Sequence, residues 1–359
     1  MSTTSLSAYT KVLLKAKLIR GVYLFDDFKR RVSGKGNPSP LQPFETITIP
    51  STKPTSKGNR NITIKIYKTK AALDPNVGPV AVHLNWHGSG FVLPMYGTDI
   101  GFIEHLLNHP LLASYPLAIL DCDYAKAPEY PCPAAPDDAR DAVDYVFRNP
   151  HLYDLNKVTL GGFSAGANLA MGLSVDLGNQ AHKGISSYGD GKSHPIHAVI
   201  AFYPVAKWVS ERVDVPVPPG PQTWPGIPLP KELTDIFDDS YWFSPVLNDP
   251  PTAEEDRARV KAWMQMPLYS PACADSKDFP RYIELVTCEY DHLSIEGEKL
   301  REALSKDKTK QVYGRRIDGV GHSWDLVTAP GQTGYKERCE MYDIAARIIA
   351  RVGGIEVEI

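Results

Sequence analysis

Cysteine is scarce in this chain. There are five in 359 residues, Cys122, Cys132, Cys273, Cys288 and Cys339, an odd number with no C-x-x-C pair. That argues against a disulfide framework and a cysteine-rich metal module. We read them as reduced, mostly buried thiols, with Cys122 and Cys288 in predicted strands. Long apolar runs are missing too, and none reaches the roughly 18–20 residues that a membrane-spanning helix needs. The stretch VLLKAKLI is broken by Lys15 and Lys17 and is followed by no small-residue cleavage site, so it does not read as a secretory leader. Together these absences predict a cytoplasmic protein without stable membrane insertion. A basic surplus is also absent: 39 Lys and Arg face 42 Asp and Glu. That argues against a nucleic-acid partner. There are no internal repeats.

What the chain does contain is an alternation of strands and helices. Residues 5–32 read as an amphipathic helix with Leu13, Leu14, Leu18, Ile19, Val22 and Phe25 on one side and a basic remainder that Asp26 and Asp27 interrupt. We expect it to pack on its own protein. ETITIP (45–50) and NITIKIYK (61–68) alternate with period two, as half-exposed edge strands do. VAVHLNW (80–86), LAILDCD (117–123), VTLGGF (158–163), HAVIAFY (197–203) and RYIELVT (281–287) are more continuously apolar, like buried parallel strands. Helical patterns intervene or follow at about 99–113, 134–148, 165–178, 294–305 and 333–351. This is an α/β pattern, a parallel sheet with helices on both faces. One stretch, between Tyr203 and Arg281, breaks the alternation with proline, tryptophan and charge, and we read it as an inserted subdomain.

Gly162-Phe163-Ser164-Ala165-Gly166 stands where a strand gives way to a helix. A G-x-S-x-G turn there is so sharp that its serine is strained, and it presents the hydroxyl above the carboxyl edge of the sheet. A serine hydroxyl is a poor nucleophile on its own, so it needs a base, and the base needs an orienting carboxylate. Both should follow Ser164, the acid first. Four histidines lie after position 190: His194, His197, His292 and His322. His322, on the glycine-rich loop DGVGHSW after the last strand-like run, is the expected base. Asp291, ending RYIELVTCEYD, is the expected acid over Glu289, Asp318 and Asp325. The turn NWHGSGF (85–91) follows a strand, and the backbone N–H groups of Gly88, Ser89 and Gly90, joined by that of Ala165, are candidate oxyanion donors. His87 is expected to order that turn. His83 and His87, spaced i, i+4 on a strand rather than a helix, are not read as metal ligands.

These residues carry a resemblance. His87-Gly88-Ser89-Gly90 resembles the HGGG element of the hormone-sensitive-lipase-like carboxylesterases, with serine in place of the middle glycine. GFSAG resembles their nucleophile elbow, and DYAKAPEYPCPAAPDDA (123–139) their YRLAPEHPFPAALEDA segment. Tyr290-Asp291-His292-Leu293 is similar to their acid motif and Gly321-His322 to their histidine motif. The resemblance implies an α/β-hydrolase fold with a mostly parallel eight-stranded sheet. It implies a helical cap formed by 1–43 and an insertion at 205–275, around a core of 44–204 and 276–359. It also implies a serine esterase without metal or cofactor, acting on a small-molecule ester as a monomer or homodimer. Trp208, Trp224, Trp242 and Phe243 are candidate substrate-pocket residues. Two other uses of the same residues stay open. One is another acyl bond (lactone, amide or acyl transfer); the other is ligand binding without catalysis.

Overall fold

A computed structural model describes residues 3–32, 41–53, 58–188, 190–209, 212–243 and 253–359. Most of the loop 33–43 and the end of the aromatic-rich run, 244–252, lie outside them. The described elements follow the chain as α1 (Thr3–Val32), β1 (Glu45–Pro50), β2 (Asn61–Lys68), β3 (Val80–Trp86), α2 (Ile100–Asn108), α3 (Pro110–Ala113), β4 (Leu117–Cys122), α4 (Ala134–Phe147) and β5 (Tyr153–Phe163). There follow α5 (Ala165–His182), β6 (Ala198–Phe202), α6 (Lys231–Tyr241), α7 (Ala253–Met264), β7 (Tyr282–Tyr290), α8 (Ser294–Ser305), β8 (Gln311–Tyr313), β9 (Arg316–Gly321) and α9 (Tyr335–Val352).

The burial of each strand follows its sequence. β3 and β4, apolar almost throughout, are buried at every position, as strands covered on both faces must be. β1, with threonines between its isoleucines, alternates along the sheet edge. The strand order is β1-β2-β4-β3-β5-β6-β7-β8, with β1–β2 and β2–β4 antiparallel and the rest parallel. The expected eight strands are nine, because the last position is shared. β8 pairs with the start of β7, at Tyr282–Glu284, and β9 with its end, at Thr287–Tyr290. Between them Gly314 turns with φ +83, where a Cβ would lie 2.5 Å from the Leu285 carbonyl oxygen. Side chains of α4, α5 and α8 fill one face of the sheet, and those of α2, α3 and α9 the other.

The carboxyl ends of the strands are covered from two places in the sequence. Arg20 on α1 reaches the loops that follow β3 and β4, donating to the Val92 and Ala127 carbonyls and pairing bidentately with Glu129 at 2.7 and 2.8 Å. α1 also lies against α6 from the insertion. The apolar residues expected on one side of α1 are divided. Leu13 and Ile19 are half-buried, while Leu14, Leu18, Val22 and Phe25 are exposed. The angular spread of a 3.6-residue helix is the reason. The stripe through Ala16 that meets the protein cannot include residues displaced by half a turn.

Asn168, buried on α5, ties the insertion to the core. Its amide donates to the Val205 carbonyl at 2.7 Å and to the Tyr269 carbonyl at 2.8 Å. One side chain thus gathers the chain where it leaves the sheet and where it returns.

Candidate active site

Ser164 sits between β5 and α5 with φ +53 and ψ −116, a strained conformation for a residue with a Cβ. The glycines around it are required by contact. A Cβ on Gly162 would lie 2.5 Å from the Trp86 carbonyl oxygen, and one on Gly166 would run into the same peptide. The strain is held from both sides. The Ser164 N–H donates to the Phe202 carbonyl at 2.9 Å, and its own carbonyl accepts from Asn168 N–H at 3.0 Å. The hydroxyl therefore stands at the N-terminus of an 18-residue helix, whose free N–H groups favour negative charge.

Two other elements bring partners to that hydroxyl. His322 follows β9, and its Nε2 lies 2.9 Å from Ser164 Oγ. Asp291 follows β7, and its Oδ2 lies 2.7 Å from His322 Nδ1. With the carboxylate accepting, Nδ1 carries the hydrogen and Nε2 is left as acceptor for the serine hydroxyl. Asp291 also accepts from the Leu293 N–H at 2.9 Å, so its orientation is fixed. All three residues are buried.

The rival carboxylates are engaged elsewhere. Glu289 accepts from the Gly319 N–H, Asp318 pairs with Arg316, and Asp325 accepts from the Tyr203 and Tyr342 hydroxyls. Of the other late histidines, His194 meets the Asp278 carbonyl and His292 meets Arg212, and burial depresses the pKa of each to about 4.

The HGSG turn lies against the serine. A Cβ on Gly88 would come within 3.3 Å of Ser164 Cβ. Among the described residues, the backbone N–H groups of Gly88, Ser89 and Gly90 have no acceptor. Ser89 does not have a positive φ; that falls instead on Gly90 (+55) and Phe91 (+61). Its hydroxyl meets that of Tyr124 at 2.7 Å, and Tyr124 in turn donates to the His87 carbonyl. His87 is fully buried, stacked on Tyr124 at 4.6 Å, with Nδ1 2.8 Å from the Gly88 carbonyl oxygen. Burial, more than the nearby Lys126, lowers its pKa to about 4, opposed by the Asp123 carboxylate 3.3 Å from Nε2. His87 thus orders the turn.

The four candidate pocket aromatics have separate surroundings. Trp208 stacks on Tyr241 at 5.3 Å and meets Trp242 edge-on, forming with Phe91 a buried aromatic block. Phe243 packs on Tyr9 of α1. Trp224 packs on Tyr290 and over Gly321, beside His322. Two neighbours of the site went unseen in the sequence. Tyr203, just past β6, has its ring against His322, and Phe237 of α6 lies over Gly90, where a Cβ would be 2.6 Å from its ring. Neither belongs to a short motif, so no local signal marks them.

With the geometry in place, comparison with known proteins decides the family. A sequence model described as the alpha/beta hydrolase fold matches residues 83–326, most of the chain. The chain belongs to the hormone-sensitive-lipase-like family of that fold. It is 30% identical over 143 residues to an AB hydrolase superfamily protein of Schizosaccharomyces pombe, a match spanning 39% of each chain. It is 28% identical over 131 residues to Probable carboxylesterase 1 of Arabidopsis thaliana, spanning 33% of this chain and 40% of that one. The chain therefore spans about two fifths of the length of these curated relatives. Among solved structures, a thermostable carboxylesterase cloned from a metagenomic library has a TM-score of 0.64 at 22% identity, covering 94% of this chain and 97% of that one. A hyperthermophilic esterase of Pyrobaculum calidifontis has a TM-score of 0.63 at 22% identity, covering 94% and 92%. At that identity the likeness concerns the α/β-hydrolase fold alone.

Proposed function

We propose that the protein is a serine carboxylic-ester hydrolase working through an acyl-enzyme. The observation that carries this reading is the continuous hydrogen-bonded line Ser164 Oγ–His322 Nε2, His322 Nδ1–Asp291 Oδ2. Such a line does one thing well. As Ser164 Oγ bonds to the ester carbonyl carbon, its proton moves to Nε2, and the carbonyl π electrons move onto oxygen. The N–H groups of Gly88, Ser89, Gly90 and Ala165 are the donors proposed to receive that oxygen. Collapse of the intermediate expels the alkoxide, which takes the proton back from Nε2. Water then repeats the sequence on the acyl-enzyme and releases the acid. Asp291 holds the ring in the productive tautomer and stabilises the imidazolium. No step uses a metal or a cofactor. Relatives named as carboxylesterases are consistent with this chemistry.

For the substrate we propose a small-molecule ester with a short to medium acyl chain or a small aromatic group. The block of Phe91, Trp208 and Tyr241, with Phe237 over Gly90, supports a bounded space above the serine. We further propose a cytoplasmic enzyme whose cap is formed by 1–43 and 205–275.

The test is a p-nitrophenyl ester series from acetate to palmitate on wild type and on Ser164→Ala. Turnover that falls with chain length and disappears in the variant is expected. Wild type without turnover, or a variant that retains it, would overturn the assignment.

A further inference from the structure

The loop that carries His322 is bonded on its outer side by the insertion. The Gly321 N–H donates to the Pro225 carbonyl at 2.9 Å, and the Ile227 N–H donates to the His322 carbonyl at 2.7 Å. The two segments form an antiparallel bridge at Ile227 and His322. Its two bonds bracket the Cα of His322. Two glycines permit the approach. Gly226 has φ +115, and a Cβ there would lie 2.6–2.9 Å from Gly321 backbone atoms. Gly321 itself faces the Trp224 ring, leaving no room for a side chain. Trp224 also packs on Tyr290, the residue before Asp291. The strap 224–227 thus touches the loop of the base and the end of the strand that carries the acid.

On the core side, His322 is held by its bond to Asp291 and by the Tyr203 ring. Those contacts act on the imidazole. The backbone before it ends β9, where Gly321 pairs with Tyr290, and the backbone after it turns at once, with Ser323 in the left-handed region at φ +56. Rotation of the backbone at His322 and Ser323, past the last sheet pair, would swing Nε2 away from Ser164.

We infer that the strap Trp224-Pro225-Gly226-Ile227 is a positioning device for the general base, so that proton transfer from Ser164 depends on the insertion being seated. This rests on the hydrolase reading above. The strap residues touch no reacting atom; they act through His322. A displacement of about 1 Å at a reacting group costs on the order of 10²-fold in rate. Unseating the strap therefore lowers kcat while ground-state binding changes little.

The test uses the full chain with Ile227→Pro, which deletes the N–H that bonds His322, and Ile227→Ala, which trims the side chain and keeps the N–H. Gly226→Ala is the second disrupting variant. Each is assayed for p-nitrophenyl acetate turnover and for the rate at which a fluorophosphonate labels Ser164. Ile227→Pro and Gly226→Ala should lose about 10- to 100-fold in kcat and in labelling rate, with KM within about threefold. Ile227→Ala should stay within about threefold in both rates.

Equal labelling of wild type and Ile227→Pro, or an equal loss in Ile227→Ala, would overturn the strap. Wild type that is not labelled at all would instead overturn the hydrolase reading. If the disrupting variants do not fold, amide exchange in the wild type decides. Slow, concerted exchange of 221–229 and 318–324 is expected, and independent exchange of the two segments would overturn the inference.

Discussion

The ring of Tyr203 stands edge-on to the ring of His322, with centroids 4.7 Å apart, and its hydroxyl donates to Asp325 at 2.6 Å. Asp325 also accepts from Tyr342 at 2.7 Å, so a buried carboxylate with two donors anchors the aromatic floor under the imidazole. Burial raises the Asp325 pKa, and the two hydroxyls oppose that rise. Tyr203→Phe keeps the ring and removes one donor. Leaving a buried acceptor with a partner missing costs about 1–3 kcal/mol. The variant should lose that much in denaturant unfolding while keeping kcat within about tenfold. A loss of activity with unchanged stability would contradict the anchoring role.

Asn168 makes a prediction about the insertion. Its amide is the common donor to the carbonyls of Val205 and Tyr269, and its replacement by alanine strands both in a buried setting. The expected cost is about 2–4 kcal/mol, from two lost bonds and two unsatisfied acceptors. Equilibrium denaturation measures it. If both ends of the insertion loosen together, proteolytic cleavage between 205 and 269 should also quicken relative to cleavage elsewhere.

Much of the candidate site was legible because its chemistry is local. The turn at Ser164 needs glycine at 162 and 166, since the Trp86 peptide passes within contact of both, and that need is written as a motif. His322 and Asp291 sit at the carboxyl ends of strand-like runs, where a parallel sheet delivers them to one edge. The ninth strand was not legible. Its break is Gly314-Arg315 inside VYGRRI, and only the path along β7 shows that both pieces share one sheet position. The strap on the His322 loop was invisible for a different reason. It is made of backbone bonds between segments about a hundred residues apart, and backbone bonds leave no side-chain signature. On α1 the apolar count was right but the facing was not. The helix meets the protein through Ala16, a residue too small to stand out.

The HGSG turn separates two kinds of substitution. The Ser89 N–H proposed as an oxyanion donor belongs to the backbone, and its hydroxyl meets that of Tyr124. Ser89→Ala should therefore keep activity within about fivefold, at a stability cost of about 1 kcal/mol for the lost bond. Gly90→Ala should do far worse. Its φ is +55 and its Cβ would strike the Phe237 ring, so the turn or α6 must move. If Gly90 places an oxyanion donor, a drop of about 10²-fold or more in kcat is expected. Steady-state kinetics on the two variants side by side gives the answer, and similar values for both would remove the turn from the oxyanion site.

His83 makes the acid side of the stability profile testable. It is fully buried on β3, with Nδ1 2.9 Å from the Thr159 hydroxyl oxygen. That hydroxyl donates onward to the Val82 carbonyl, so Nδ1 is the nitrogen that carries hydrogen, and Nε2 has no partner among the described residues. A second proton has nowhere to bond, and burial lowers the pKa from 6.5 to about 3. Above pH 6.5 the ring is neutral in both folded and unfolded chains and carries no penalty. As pH falls from 6.5 towards 3, the unfolded chain takes up the proton and the folded one does not. Stability is therefore lost across that window, by about 1.4 kcal/mol per pH unit. His83→Leu removes this component. Relative to wild type, the variant should gain about 2 kcal/mol between pH 7.5 and pH 5, whatever its offset at pH 7.5. Denaturant unfolding of both proteins at the two pH values measures the difference, and parallel profiles would show that His83 protonates in the folded state.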